Sequence, residues 1–266
     1  MKELIILKLG GSVITRKDEN NPEINREILN RVAKEIAEAK SKRNFRLIIV
    51  QGAGAFGHVP AREYGLDKSV IEERQLQGFS ITHQSMEKLN YDVVEVLKTY
   101  GINAISFQPS AVGILKSARL IYFPVRVIKE FIKLNMVPVG YGDVLIDEDT
   151  GINILSGDHL VPYLARKLNA DRVVIATDVD GVYDKNPKKN KDAKLIRKIN
   201  RENIDTIIEI GTSDSVDVTG GMKRKLDELL ELAEFSIDSY IISALKADVL
   251  KRTLLGEQEL GTVIKK

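Results

Sequence analysis

A chain of 266 residues, 43% hydrophobic and 29% charged, is long enough to bury a large core as one α/β unit or as two closely joined lobes. Its 40 Lys and Arg against 38 Asp and Glu leave a net charge of +2, with no dense basic block beyond Lys185–Lys191, so neither composition nor charge marks a nucleic-acid binder. With no cysteine there is no disulfide framework, thiolate metal site or cysteine nucleophile, and no apolar run nears the ~18 residues of a membrane span.

Leu4–Leu9 is the first predicted strand, apolar except for Lys8, and it runs into Gly10-Gly11-Ser12 with Lys17 beyond. The N-terminus enters this strand without a signal-peptide pattern, so a cytoplasmic location is expected. Ile28, Val32 and Ile36 then repeat every four residues, as one face of a helix does. A second strand, Leu47–Val50, feeds directly into Gly52-Ala53-Gly54-Ala55-Phe56-Gly57-His58. Glycines there let backbone N–H groups approach an anion, and His58 adds a donor that titrates near neutral pH. Gly52, Gly54 and Gly57 also fit the dinucleotide-binding spacing, which requires a strand ending in an acid about 20 residues later. Glu72 and Glu73 lie at that distance, but residues 59–74 are charged and broken, so the loop holds something other than a dinucleotide.

Met86, Leu89, Val93 and Val96 follow the spacing of a helix face, and Ala104–Phe107 is the next predicted strand. Val112–Phe123 reads as a β-hairpin, Val137–Val139 as a strand, and Val144–Leu155 as a second hairpin turning through Asp147 to Gly151. Ser156-Gly157-Asp158-His159 opens a helix over Leu160–Leu168. Val173–Ala176 is a strand that runs into Thr177-Asp178-Val179-Asp180-Gly181-Val182-Tyr183, followed by Asp184-Lys185-Asn186-Pro187. Asp217-Val218-Thr219-Gly220-Gly221-Met222 precedes a helix carrying Lys225, Leu226, Leu229, Leu230 and Ala233, and Tyr240–Ile242 is the last of these strands. Strands alternating with helices imply parallel crossovers, hence an α/β fold of three layers. The expected architecture is a mostly parallel open sheet with helices on both faces and β-hairpin excursions, all in one domain whose halves meet near residues 156–171. His83 and His159 read as helix-surface and helix-start residues, and Lys188, Lys189 and Lys191 as a solvated loop.

Several glycine-rich turns with lysines, all at carboxyl ends of strands or starts of helices, suit a polyphosphate better than a metal or a hydride carrier. No Walker A sequence is present. The order K-x-G-G-S, glycine-rich loop, G-D, T-D-V-x-G-V-Y and T-G-G-M-x-x-K resembles the amino acid kinase superfamily over nearly the whole chain. Within it, Gly57-His58 followed by Ala61-Arg62-Glu63-Tyr64-Gly65-Leu66 is most similar to the isopentenyl phosphate kinases, and the fosfomycin kinases are similar at the same position. Ala53 and Ala55 depart from the glycine or serine of many relatives, and His159 from a second acid.

That resemblance implies an ATP-dependent phosphotransferase whose acceptor is an isoprenoid monophosphate, acting as a homodimer on small molecules with neither nucleic acid nor membrane as partner. It implies Lys8, Lys17 and Lys225 around the transferring phosphoryl group and Asp158 orienting the lysines. Ala53, Gly54, His58 and Gly157 are implied at the acceptor phosphate. Phe79 is the candidate for the acceptor's apolar tail. Gly10, Gly11, Ser12, Thr177, Asp178, Tyr183, Lys185, Pro187, Gly220 and Gly221 would hold the nucleotide. Mg2+ is expected on the phosphates and not on a set of protein ligands. The acceptor-binding half is placed at about residues 1–165 and the nucleotide-binding half at about 166–266.

Overall fold

β1 (Leu4–Leu9) and β2 (Arg46–Gln51) are buried along nearly their whole length, which is why both read as unbroken apolar runs. They form the centre of the computed structural model, which describes residues 2–16, 22–66, 72–185, 187, 190–205, 207 and 223–266. Around them lie β3 (Ala104–Ser106), β6 (Val137–Tyr141), β9 (Arg172–Thr177), β10 (Lys198–Ile199), β11 (Asp238–Ser243) and β12 (Thr262–Ile264). The sheet order is β10-β12-β11-β9-β1-β2-β6-β3, and every pairing is parallel except β11 with β12. One continuous sheet therefore crosses both halves of the sequence. Among the described residues no helix is long and apolar enough to cross a membrane.

Alternation along β1 divides the core in two. Ile5, Leu7 and Leu9 pack with α2 (Arg26–Lys42), α4 (Glu73–Thr99) and α8 (Val249–Leu254) on one face. Leu4 and Ile6 pack on the other face with α5 (Arg126–Lys133), α6 (Gly157–Leu168) and α7 (Lys223–Glu234). The predicted three-layer architecture is the one observed. The predicted strand Ala104–Phe107 ends one residue early, and Val137–Val139 runs on to Tyr141.

Both predicted hairpins form, and together they make a second sheet. It contains β4 (Ile114–Lys116), β5 (Arg119–Tyr122), β7 (Asp143–Asp147) and β8 (Gly151–Leu155) in the order β5-β4-β7-β8. The first hairpin turns through Ser117 and Ala118 at φ of 47° and 61°, a left-handed pair that normally calls for Asn or Gly. Asp147 offsets that strain: its carboxylate accepts from the N–H groups of Ser117, Ala118, Asp149 and Thr150, and so ties the two hairpin turns together.

Arg172 opens β9 and is 6% exposed. It donates to Glu3 at 2.7 Å and to the carbonyls of Thr253 and Leu254 at 2.6 Å each, which fixes the end of α8 to the sheet. Arg172→Ala leaves two buried carbonyls without their charged partner and Glu3 with Arg43 alone. The expected loss is about 3 kcal/mol or more of unfolding free energy, read as a lower urea midpoint at unchanged m; a shift under ~0.5 kcal/mol would contradict this role.

Candidate active site

At the carboxyl edge of the sheet, the turns leaving β1 and β2 lie backbone against backbone. A Cβ on Gly11 would stand 2.1 Å from the Gly54 nitrogen, and one on Gly52 would stand 2.5 Å from the Gly11 nitrogen. Gly54 has φ of +53°, and its own Cβ would meet Thr15 Oγ1 at 2.1 Å. Glycine is therefore required by contact at three positions and by conformation at one of them. The second turn leads at once into α3 (Gly54–Tyr64), capped at its N-terminus by Ala53 with no side-chain acceptor, so its first N–H groups are left for an anion.

Lys8 lies on the β1 face that carries Leu4 and Ile6, and so turns toward α6 and α7. Its Nζ donates to Asp158 Oδ1 at 2.5 Å, and Lys225 Nζ lies 3.6 Å from Asp158 Oδ2. Asp158 sits in the first turn of α6, whose N-terminus is capped by Ser156 accepting from the His159 N–H. Burial lowers the Lys8 pKa, and Lys225 nearby adds to that, while Asp158 opposes it. Burial alone would raise the Asp158 carboxyl, but the two lysines hold it below the usual carboxylate range. Its contribution to stability is therefore present above the ordinary aspartate range and is lost as pH falls through the lowered value.

These elements enclose a cavity of about 470 Å³. Lys8, Gly10, Gly11, Ser12, Ala53, Gly54, His58, Gly157, Asp158, Thr177 and Lys225 all line it. Phe79 does not. It packs behind the wall with Tyr64, Leu66 and Ile152, beside Ala61, Val144 and Ile154, which do line the cavity. Asp178, Tyr183, Lys185 and Pro187 lie outside the cavity wall on the segment after β9. There Thr177 donates to Asp178, Tyr183 and Lys246 both donate to Asp180, and Lys185 pairs with Asp192. Lys17, Gly220 and Gly221 fall outside the described residues.

The cavity also takes in residues that the sequence did not single out: Thr15, Arg16, Arg62, Thr82 and Asp143. Arg62 was within reach, since it follows His58 by four residues and so shares its face of α3. Asp143 was not, because its position depends on how β7 meets α4. Its side chain is fully buried and accepts from the N–H groups of Ser110 and Val144 and from His83 Nδ1 at 3.0 Å. His83 is thus not a plain surface residue, as its place in the helix pattern suggested, but a bridge from α4 to β7. Burial raises the Asp143 pKa, and its hydrogen bonds to His83 and Ser110 restrain the rise. His159 faces Glu228 of α7 at 3.5 Å.

Residues 3–243 match the model of the amino acid kinase family. The chain is 42% identical to isopentenyl phosphate kinase of Methanothermobacter thermautotrophicus, over 98% of this chain and 98% of the relative. It is 39% identical to isopentenyl phosphate kinase of Methanocaldococcus jannaschii, again over 98% of each. An X-ray structure of isopentenyl phosphate kinase is similar at a TM-score of 0.85 and 40% identity, covering 99% of this chain and 100% of that one. The product complex of the Thermoplasma acidophilum enzyme is similar at a TM-score of 0.78 and 29% identity, covering 98% and 100%.

The charge arrangement sets the direction of one titration. Asp158→Asn removes the group that keeps the Lys8 ammonium charged against burial and against Lys225, so the Lys8 pKa falls further. Competitive amine acylation across pH should show Lys8 reacting from a lower pH in the variant; an unchanged or higher midpoint would mean that Asp158 does not govern this lysine.

Proposed function

The chain belongs to the amino acid kinase family, and from that membership we propose that it moves the γ-phosphoryl group of ATP onto isopentenyl phosphate, giving isopentenyl diphosphate and ADP. The observation that supports the reading is the make-up of the cavity lining, which joins Lys8, Lys225 and the open N-terminus of α3 to the apolar Ala61, Met86, Val144 and Ile154, with Arg62, Thr82 and Asp143 among them. A short apolar chain bearing a phosphate can use both sets. The relatives named isopentenyl phosphate kinase support the substrate class.

Phosphoryl transfer between two polyanions is chiefly a matter of positioning and charge neutralisation. Lys8 and Lys225 take the β- and γ-phosphate oxygens from two sides, with Lys17 reaching the transferred group. Asp158 keeps the two described lysines close together and charged. The acceptor phosphate has a second pKa near 6, so its oxygen is ionised at pH 7 and no general base is required. That oxygen bonds to the γ-phosphorus as the bond to the β–γ bridging oxygen breaks, and ADP leaves with the electron pair. His58 donates to the acceptor phosphate, joined by N–H groups around Ala53, Gly54 and Gly157. Gly10, Gly11, Ser12 and Thr177 line the nucleotide's phosphate path, with Asp178, Tyr183, Lys185 and Pro187 toward the adenosine end and Gly220 and Gly221 completing it.

Mg2+ keeps waters and needs few protein ligands, so in this reading it would be carried mainly by the ATP phosphates and would neutralise charge on their oxygens. The same reading places the protein in the cytoplasm as a homodimer. Each chain is one domain, with an acceptor half in residues 1–165 and a nucleotide half in 166–266.

A coupled assay with isopentenyl phosphate, fosfomycin and acetylglutamate side by side tests the reading. ADP release with isopentenyl phosphate far above the others is expected; turnover of fosfomycin alone would replace the substrate. His58→Ala should lower kcat/KM for the acceptor about 10- to 150-fold, the worth of one hydrogen bond to a charged oxygen, with ATP binding little changed. His58→Gln should recover much of that loss, and full activity of the alanine variant would remove His58 from the acceptor site. Phe79→Ala should loosen the Val144–Ile154 wall from behind and raise activity on geranyl phosphate relative to isopentenyl phosphate. An unchanged chain-length preference with normal folding would place the tail elsewhere.

A further inference from the structure

Thr82 lines the cavity and is 3% exposed, and its hydroxyl is buried without a hydrogen-bond partner. A helical threonine can bond back to a carbonyl one turn earlier; this one does not. Its neighbours in the cavity wall differ. Thr15 donates to the Gly11 carbonyl, Ser156 accepts from the His159 N–H, and the Asp143 carboxylate is engaged by His83 and two N–H groups. Among the described residues, Thr82 has the one buried side-chain polar atom of the cavity wall left unsatisfied.

Its position in the cavity follows from how α3 and α4 pack. A Cβ on Gly57 would meet the Met86 sulfur at 3.0 Å, and one on Gly78 would meet Tyr64 at 2.3 Å and Leu66 at 3.0 Å. The two helices therefore run antiparallel, with Met86 beside the glycine loop and Thr82 one turn, about 5.4 Å, further along the tail wall. That is the span of a short alkyl chain from its phosphate. Val144 and Ile154 in the same lining are apolar, while Arg62 and Asp143 are ionisable, and Asp143 is engaged by His83, Ser110 and Val144.

Resting on the kinase reading above, we infer that Thr82 is a specificity-determining residue, and that the tail pocket takes alkyl phosphates carrying a hydroxyl group partway along the chain as well as purely apolar ones. A helical threonine favours two χ1 settings, and a turn between them redirects its hydroxyl by about 120° and moves its methyl with it. Since nothing holds this hydroxyl where it is, the turn forfeits no hydrogen bond. Facing a hydroxylated tail it gains a partner. Facing an apolar tail it stays unsatisfied, because the tail displaces any water that could serve it.

The probe is 3-hydroxy-3-methylbutyl phosphate, the isopentenyl skeleton with water added across its double bond. The measured quantity is the ratio of its kcat/KM to that of isopentenyl phosphate. Wild type should phosphorylate both. Thr82→Val, equal in shape, should lower the ratio about tenfold, the worth of a hydrogen bond between neutral groups, while Thr82→Ser should keep it near the wild-type value. A threonine with only a packing role would shift thermal stability in the valine variant and leave the ratio alone. Turnover of isopentenyl phosphate without turnover of the hydroxylated acceptor, or a ratio that Thr82→Val leaves unchanged, overturns the inference and spares the kinase reading. Failure with both acceptors removes the kinase reading and the inference with it.

Discussion

Two ammonium groups cannot be held together at the buried edge of a sheet unless a carboxylate stands between them. At 4 Å and an effective dielectric of about 20, like unit charges repel by about 4 kcal/mol, and burial of Lys8 adds to the cost of its charge. Asp158, in contact with Lys8 and within 3.6 Å of Lys225, supplies the compensating attraction to both. Much of the surrounding fold is required to place that one carboxylate. The parity of β1 turns Lys8 to the α6 side, Ser156 caps α6 so that Asp158 falls in its first turn, and α7 packs on α6 to deliver Lys225. Without a ligand the three groups form a nearly closed ion cluster. On the proposed function, a polyphosphate entering it would meet lysines already placed, so little reorganisation would accompany binding.

The glycine turns answer a second constraint, which is steric. β1 and β2 are neighbours in register, so their turns leave the sheet side by side, and any side chain at Gly11 or Gly52 would drive them apart. Contact between the turns places the uncapped start of α3 next to the end of β1. The uncapped N–H groups and the lysine cluster thereby become parts of one cavity. The link between sequence and function here is backbone separation, and residue chemistry enters only through the absence of Cβ atoms.

Much of this was readable in the sequence because the strands are buried on both faces and show as continuous apolar runs, against which Lys8 stood out between Leu7 and Leu9. The helix faces carrying Ile28, Val32 and Ile36 and carrying Met86, Leu89 and Val93 were readable for the same reason: each is the stripe that enters the core. Sequence reading failed where a residue's role depends on an element distant in the chain. His83 has the local pattern of a surface residue and acquires its partner, Asp143, 60 residues later through the packing of β7 on α4. Phe79 read as an apolar residue on the helix after the glycine loop, either core or in contact with a tail, and the structure packs it behind the cavity wall. Whether it lines a wall or supports one is decided by which face of α4 meets the second sheet, and no period in the sequence contains that.

The cavity is lined by two kinds of material. Around β1 and β2 it is backbone N–H groups, glycines and a lysine cluster, and a change there disturbs the sheet edge itself. The rest is side chains from α3, α4, β7 and β8, among them Ala61, Arg62, Thr82, Met86, Asp143, Val144 and Ile154, and on the proposed function the acceptor's tail lies against these. Each methylene added to or taken from that wall is worth about 0.8 kcal/mol of apolar contact, enough to rank acceptors by length without moving a phosphate-binding group. Polarity in the wall acts by a separate route from volume, since an unsatisfied hydroxyl penalises an apolar tail of any length and favours a tail that can bond to it. On the proposed function and the Thr82 inference, acceptor length and acceptor polarity would be set by different residues on the same wall, and a substitution would change one while the lysine cluster stays as it is.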